Sequence, residues 1–279
     1  MMRWLVLLPP LLLAPTLPGA EWMRFRGPNA TGVAAGPIVE RPSLDDNLLW
    51  KTPLPTGHSS PVITSDKIYV TAVENEKLYT LALKRETGEF LWRREAPRPR
   101  RSELHQDNDA ASPTPASDGE NLYVFFGDFG LLSYGPDGNE RWRVPLGPFV
   151  NIRGMASSPV VEDGKAFLVL DDDSGHSFLI AVDAETGREL WRADRSEFGK
   201  GFSTPAAYRP KHGPAQLIVP GSFALLSYSM ETGEEVWRVG ALCWQAKAVP
   251  LIGGKRVYFN CQGARPMPWP AGIRTSLAR

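Results

Sequence analysis

Two long stretches of the sequence, about residues 93–111 and 144–157, contain polar side chains that are suited to ligand binding. Neither stretch has the β-rich pattern of a strand. A third such group follows Trp237. Together, the side chains suited to a polar or anionic ligand are His105, Gln106, Asn108, Asn151, Arg153, Trp244, Gln245 and Lys247. Long loops on a rigid scaffold are common places for binding sites. The alternative interpretation is that the two loops are merely solvated and that Trp244 packs inside the fold.

The densest carboxylate group is Asp171–Asp173, which is followed by Ser174–Gly175. Such a group could bind Ca²⁺, but the twelve-residue loop ending in Glu is missing, so an acidic hairpin loop is favoured. His58, His176 and His212 are isolated in the sequence. We find no Ser-His-Asp order, metal-type cysteine spacing or phosphate-binding glycine loop. The sequence therefore predicts no catalytic residue and no metal site.

A repeated unit must position these loops. Similar segments end at Trp50, Trp92, Trp142, Trp191 and Trp237, with spacings of 42, 50, 49 and 46 residues. Those spacings are close to the period of about 40–50 residues that is typical of propeller blades. Internal repetition at this period predicts an array of small β-sheets.

Each unit has the same order of features. It opens with a small residue and proline, at Ser60-Pro61, Ser112-Pro113, Ser158-Pro159 and Thr204-Pro205. Two β-rich runs, a glycine hairpin and a short strand that ends in tryptophan follow. The hairpin glycines are Gly88, Gly138, Gly187 and Gly233. Glycine is expected there because a tight hairpin needs the left-handed backbone conformation.

Four strands per unit predict an all-β fold, a β-propeller of four-stranded antiparallel blades. Complete blades are expected at about 59–96, 111–146, 157–195 and 203–240, and a fifth begins at 246–262. Residues of about 47–54, which include Trp50, are expected to close the last blade as an N-terminal strand. About five blades predict an incomplete ring of seven or eight, with a closed ring of five as the alternative. Residues 263–279 lack the blade pattern and predict an irregular tail after a truncation or frame shift.

The N-terminus indicates export. Arg3, the apolar run Trp4–Leu13 and the small residue Ala20 predict a cleaved signal peptide over residues 1–20. The mature β-propeller of residues 21–262 would be periplasmic or secreted, with no transmembrane segment. In that compartment Cys243 and Cys261 could pair, and two buried thiols are the alternative. Thirty-one basic and 31 acidic residues argue against a nucleic-acid partner.

The hairpin segments resemble the tryptophan-docking repeat of quinoprotein dehydrogenases. The segment of residues 181–191, AVDAETGRELW, carries the resemblance most clearly, and two other units match its spacing. The opening FRGPNATGVA, residues 25–34, is similar to secreted pyrroloquinoline-quinone-binding-like propellers of bacteria such as planctomycetes. The resemblance covers about residues 22–262. It implies that tryptophan and hairpin glycine of neighbouring blades dock on one another, and these residues are Trp92, Gly88, Trp142, Gly138, Trp191, Gly187, Trp237 and Gly233.

The resemblance implies the fold more strongly than the task, because one fold serves many functions. We expect an exported non-catalytic scaffold that binds a ligand, protein or carbohydrate partner. The alternative is a dehydrogenase of alcohols or sugars that uses pyrroloquinoline quinone with Ca²⁺. Trp244 would then face the quinone ring, and Arg153 and Lys247 its carboxylates. The family's calcium ligands and adjacent cysteines have no matching positions here. A third hypothesis is a truncated product without an independent function.

Overall fold

The computed structural model describes residues 21–36, 40–151, 153–240, 244–253 and 256–260. The predicted signal peptide, Cys243, Cys261 and the expected tail lie outside these ranges. The described residues form four four-stranded antiparallel sheets and one two-stranded sheet. The prediction of an all-β propeller with an incomplete set of blades is therefore confirmed.

The strands follow one another in chain order within each blade. The first blade contains β1 (Val62–Ile63), β2 (Lys67–Glu74), β3 (Lys77–Lys84) and β4 (Phe90–Ala96). The second contains β5 (Ala116–Ser117), β6 (Leu122–Phe126), β7 (Gly130–Tyr134) and β8 (Glu140–Pro145). The third contains β9 (Val160–Glu162), β10 (Lys165–Leu170), β11 (Phe178–Asp183) and β12 (Glu189–Asp194). The fourth contains β13 (Ala206–Tyr208), β14 (Gln216–Gly221), β15 (Ala224–Ser229) and β16 (Glu235–Gly240), and β17 (Leu251–Gly253) with β18 (Arg256–Tyr258) begins a fifth.

The core lies between neighbouring blades. The middle strands of a blade are covered on both faces, so β6 and β7 are buried along their whole length. This explains why these runs are almost continuously apolar rather than alternating. Separate apolar clusters join the first blade to the second, the second to the third and the third to the fourth.

The first strand of each blade lies nearest the propeller axis, where β5 contacts β9 and β13 contacts β17. The loops between blades and those between second and third strands share one side, which we call the funnel face. The glycine hairpins lie on the opposite side, the hairpin face. The interblade loops of the funnel face cover residues 97–115, 146–159 and 195–205. Sequence analysis did not single out the third of them.

A row of hydrogen bonds links the blades beside the axis. Ser60 N donates to Thr114 Oγ1 at 2.9 Å. Thr114 N donates to Ser158 Oγ, and Ser158 N to Thr204 Oγ1, both at 3.0 Å. The second blade therefore opens with Thr114-Pro115 and not with Ser112-Pro113 as expected. The reason is register, because each first strand begins directly after the proline that follows the hydroxyl residue.

The segment of residues 47–54 forms no strand. A fourth strand pairs with the third strand of its blade, and each third strand among the described residues already has a fourth strand beside it. Its tryptophan is nevertheless placed like those of the blades, because the Trp50 indole lies on the hairpin of Gly88 and its Nε1 donates to Arg85 O at 2.9 Å.

Candidate functional site

The hairpin face repeats one docking unit at successive blade interfaces. A tryptophan ring covers a glycine with positive φ on the next hairpin, in the pairs Trp50–Gly88, Trp92–Gly138, Trp142–Gly187 and Trp191–Gly233. In each pair the indole Nε1 also donates to a hairpin carbonyl, at 2.9 Å to Arg85, 3.0 Å to Pro136, 3.0 Å to Ala184 and 3.3 Å to Met230. A side chain at the glycine would enter the ring, so these residues have a structural role.

Trp237 is bound differently. Its Nε1 donates to Gln216 Oε1 of its own blade at 3.1 Å. Its ring packs against the buried Ile218 and Leu225, as do Ile252 and Val257 of the fifth sheet. No glycine hairpin among the described residues covers it, so within these ranges Trp237 lacks the docking seen at the other four tryptophans.

The first long loop of the funnel face is held by its own arginines. Arg98 Nε donates to the buried Asp128 carboxylate at 2.8 Å, and Arg98 Nη1 donates to Glu76 O at 2.6 Å. Arg100 donates to the carbonyl of Leu146 on the second long loop. Burial lowers the pKa of the Arg100 guanidinium, and the nearby Asp128 opposes that effect. These arginines fasten loops and do not face solvent as free cations.

The structure brings together three of the eight expected site residues. Asn108 Nδ2 donates to Arg153 O, and Arg153 N donates to Asn151 Oδ1 at 3.1 Å. Asn151 is 6% exposed, and its Nδ2 has no hydrogen-bond partner. It lines a void of about 10 Å³ between the two loops, together with Asp109 and Met155. Such a void holds one water molecule.

The other expected site residues lie apart from this group. His105 Nδ1 is 3.2 Å from the Asp107 carboxylate within its own turn, and Gln106 is exposed beside it. The segment that contains Trp244, Gln245 and Lys247 lies against the third interblade loop, where Phe202 N donates to Ala246 O at 2.9 Å. The eight residues therefore do not form one site.

A buried ion pair lies under the third interblade loop and was missed by sequence analysis. Arg195 donates to both oxygens of Asp171, at 2.8 and 2.9 Å, and both side chains are fully buried. It also donates to Tyr228 Oη at 3.0 Å and Pro220 O at 3.1 Å. Burial alone would lower the pKa of Arg195, but the charge and hydrogen bonds of Asp171 raise it above its ordinary value. Arg195 follows the Trp191 strand without any pattern that marks it as buried.

The three consecutive aspartates point to three different partners. Asp171 binds Arg195, and Asp172 accepts the amides of Val150 and Ser174. Asp173 Oδ2 is 3.1 Å from Lys200 Nζ. Because the carboxylates diverge, they do not form a ligand set for Ca²⁺. Among the described residues, no group of three or more His, Cys, Asp or Glu side chains could hold a metal ion.

A contiguous surface on the funnel face joins the second and third long loops to the start of the fifth blade. We call it the funnel strip, and it consists of Val150, Asp173, Lys200 and Trp244. Asp173 N donates to Val150 O at 2.7 Å, and Lys200 Nζ lies 5.3 Å from the Trp244 ring centre. Val150 is 58% exposed and Trp244 47% exposed. The strip therefore presents two apolar side chains around an ion pair.

The void between the first two loops is too small for a tricyclic quinone, and the aspartates do not suit its metal. The Trp244 ring with Lys200 beside it is the part of the funnel face that suits a planar carboxylate-bearing group.

Among the described residues, no helix is both long and apolar enough to cross a membrane.

Solved structures share this fold. Quinohemoprotein alcohol dehydrogenase ADHIIG from Pseudomonas putida HK5 aligns with 82% of this chain and 41% of its own, with a TM-score of 0.58 and 18% identity. A europium-containing methanol dehydrogenase aligns with 83% and 49%, with a TM-score of 0.59 and 12% identity. BamB from Moraxella catarrhalis aligns with 70% and 56%, with a TM-score of 0.51 and 17% identity. The chain thus spans about half the length of these structures, and at such identities the likeness shows the fold alone.

Sequence comparison identifies the family. None of the curated proteins matches the chain. A family model described as outer membrane protein assembly factor BamB matches residues 43–168, 79–237 and 179–265, which together cover most of the chain. The repeated docking units found on the hairpin face fall within these ranges. The chain therefore belongs to this family of PQQ-like β-propeller repeat proteins.

Proposed function

We propose that this chain is an exported, non-catalytic propeller that binds a protein partner through the funnel strip. The family model is that of outer membrane protein assembly factor BamB, and the similar solved structures include both a BamB and dehydrogenases. The choice between the two roles rests on the chemistry of the funnel face. Periplasmic or secreted location is part of the proposal and agrees with the apolar run near the N-terminus.

The internal pairing of funnel-face charges supports a binding role. Arg98 is bound to Asp128, Arg195 to Asp171, and Lys200 to Asp173. A general acid or base must be able to reach the reacting group, and these side chains already have partners inside the protein. The groups left exposed in the funnel strip are apolar. Aromatic and apolar anchors beside a polar rim are typical of protein interfaces.

Substitution of the two exposed anchors tests the partner role. Val150→Asp and Trp244→Ala are compared with the wild type as bait in extracts of the exported fraction, at two salt concentrations. We expect a specific protein to be retained by the wild type and lost with either variant. Anchors that become buried in an interface cost more than about 1 kcal/mol of binding free energy when they are truncated, so retention should fall at least about fivefold.

Glu185→Gln is the matched control, because Glu185 lies on the hairpin face and is exposed. It should retain the partner. A partner that is lost equally with Glu185→Gln, or kept with both anchor variants, would contradict the proposal.

A quinone-dependent dehydrogenase is the second candidate function, and the exposed Trp244 ring beside Lys200 favours it. Trp244 would contact the quinone ring, and Lys200 with Lys247 would face its carboxylates. Bound quinone would supply two-electron oxidation of an alcohol or sugar. These side chains would bind and orient it. The described carboxylates do not fit the accompanying Ca²⁺.

Addition of pyrroloquinoline quinone and Ca²⁺ to the purified chain separates the two candidates. If the chain is a non-catalytic binding protein, we expect no absorption band of bound quinone and no dye-linked oxidation of alcohols or sugars. A band that disappears in Trp244→Ala, with turnover in the wild type, would establish the second candidate instead.

A further inference from the structure

Residues 22–30, which we call the N-terminal strap, cross the first strands of four successive blades. Trp22 exchanges two backbone hydrogen bonds with Ile63 of β1, at 2.7 and 2.9 Å. Met23 O accepts the amide of Ser117 in β5 at 2.7 Å. Arg24 Nη1 lies 3.0 Å from the Glu162 carboxylate at the end of β9. The order of contacts along the strap is therefore the order of the blades.

The strap ends on the fourth blade with two further hydrogen bonds. Asn29 Nδ2 donates to Ala207 O at 2.9 Å, and Asn29 Oδ1 accepts Ala207 N at 3.0 Å. Next to it, Ala30 and Phe25 pack against Ala206 and Val249, and Val249 lies at the start of the fifth blade. Sequence analysis used this segment only for its resemblance and did not expect these contacts.

The backbone of the strap is held in a costly conformation. Arg26, Asn29 and Ala30 have φ values of 61°, 44° and 56°. Non-glycine residues in this region persist only where surrounding contacts impose it. A pocket of about 730 Å³ is lined by Met23 and Pro28 of the strap and by the ends of β5 and β9. The strap is also bonded internally: Gly27 N donates to Arg24 O at 2.9 Å, Ala30 N donates to Gly27 O at 3.0 Å, and Arg24 Nη2 donates to Asn29 Oδ1 at 3.3 Å.

We propose that the N-terminal strap is one cooperative clamp, which ties the axial strands of four blades together on the hairpin face. The four complete blades among the described residues do not by themselves close a ring that would fix the spacing of their first strands. The strap connects them, and release at one anchor loosens the others because hydrogen bonds within the strap join Arg24 to Asn29 and to Gly27. This inference is independent of the partner and of the quinone.

Hydrogen exchange of three amides tests the clamp in the full chain. The amides of Ile63, Ser117 and Ala207 each donate to the strap. Asn29→Ala removes the fourth-blade anchor, and Arg24→Ala removes the third, after which Glu162 still binds Arg209 at 2.9 Å. We expect each variant to accelerate exchange of all three amides by about tenfold, the effect of losing one or two hydrogen bonds from a cooperative unit.

Two controls keep the result specific. The amides of Ser60, Thr114 and Ser158, which form the row beside the axis, should keep their wild-type rates. Asn139→Ala, a change of an exposed residue on the hairpin face, should change none of the six. If Asn29→Ala accelerates Ala207 alone, and Arg24→Ala accelerates none of the three, the anchors are independent and the clamp is refuted. Acceleration of all six amides would show a global loss of stability and would also refute it.

Discussion

The hairpin face and the funnel face join the same blades in different ways. On the hairpin face, one unit of indole, glycine and carbonyl recurs at each interface from Trp50 to Gly233. On the funnel face the charged pairs differ from one interface to the next: Arg98 binds Asp128, whereas Arg195 binds Asp171 of its own blade and reaches Tyr228 of the next. Repetition marks the surface that builds the fold. The loops of the funnel face can change in sequence without disturbing the docking units of the hairpin face, so the funnel face can acquire a binding function.

The largest effect is expected from breaking the buried pair of the funnel face. Arg195→Ala leaves the Asp171 carboxylate buried without a partner, so the free energy of unfolding should fall by about 3–5 kcal/mol. Urea denaturation measures this loss. The double variant Arg195→Met with Asp171→Leu should recover most of it, because no charge is then buried. A double variant as unstable as the single one would show that shape, rather than charge, holds this interface.

The second largest loss of stability is expected from removal of a docking tryptophan. Trp142→Ala removes a buried ring and the hydrogen bond to Ala184 O, and we expect a loss of about 3–4 kcal/mol by the same measurement. Trp237→Ala should cost only about 1–2 kcal/mol, because its ring lacks a described hairpin partner. Equal losses would remove the distinction between docked and undocked tryptophans.

Two glycines of the third blade allow the cost of backbone strain to be measured separately from the cost of a steric clash with the indole. Gly187 and Gly164 have nearly the same φ, 74° and 70°, but a Cβ at Gly187 would lie 2.7 Å from the Trp142 ring, whereas none of the described heavy atoms lies within 4 Å of one at Gly164. Gly164→Ala should therefore cost about 1 kcal/mol, and Gly187→Ala about 2–3 kcal/mol. Thermal unfolding of the two variants compares these values. Similar melting temperatures would mean that the indole does not require glycine.

The smallest effect is a pH dependence on the hairpin face. Burial tends to raise the pKa of Asp118, but hydrogen bonds from Tyr123 and from the amides of Asn121 and Glu120 lower it below the ordinary value. Its contribution to stability is present above the unfolded-state pKa of about 3.9, and it is lost as pH falls through the lower folded-state value. The stability difference between wild type and Asp118→Asn should thus shrink on going from pH 6 to pH 2. A difference that stays constant would contradict this assignment.

Much of the hairpin face was predictable from local pattern. Tryptophan spacing, hairpin glycines and β-rich runs repeat in the sequence, because each blade solves the same packing problem against its neighbour. The funnel face was predictable only as the place for long loops. Asn108, Asn151 and Arg153 do meet, but His105 stays in its own turn and Trp244 joins Lys200 instead. Contacts between loops depend on where two segments that are distant in the sequence meet in space. A local sequence repeat does not predict this.

The sequence by itself determined a propeller of four-stranded blades, because β-rich runs and left-handed hairpin positions are local requirements that only certain residues satisfy. Tertiary structure alone decided the partners of the charged side chains and the path of the N-terminal strap. Asp171 could have been a solvated carboxylate or a metal ligand, and it is a buried counter-ion because Arg195 arrives from 24 residues away. Contacts of this kind follow from the arrangement of whole blades, which is set by packing over the entire chain.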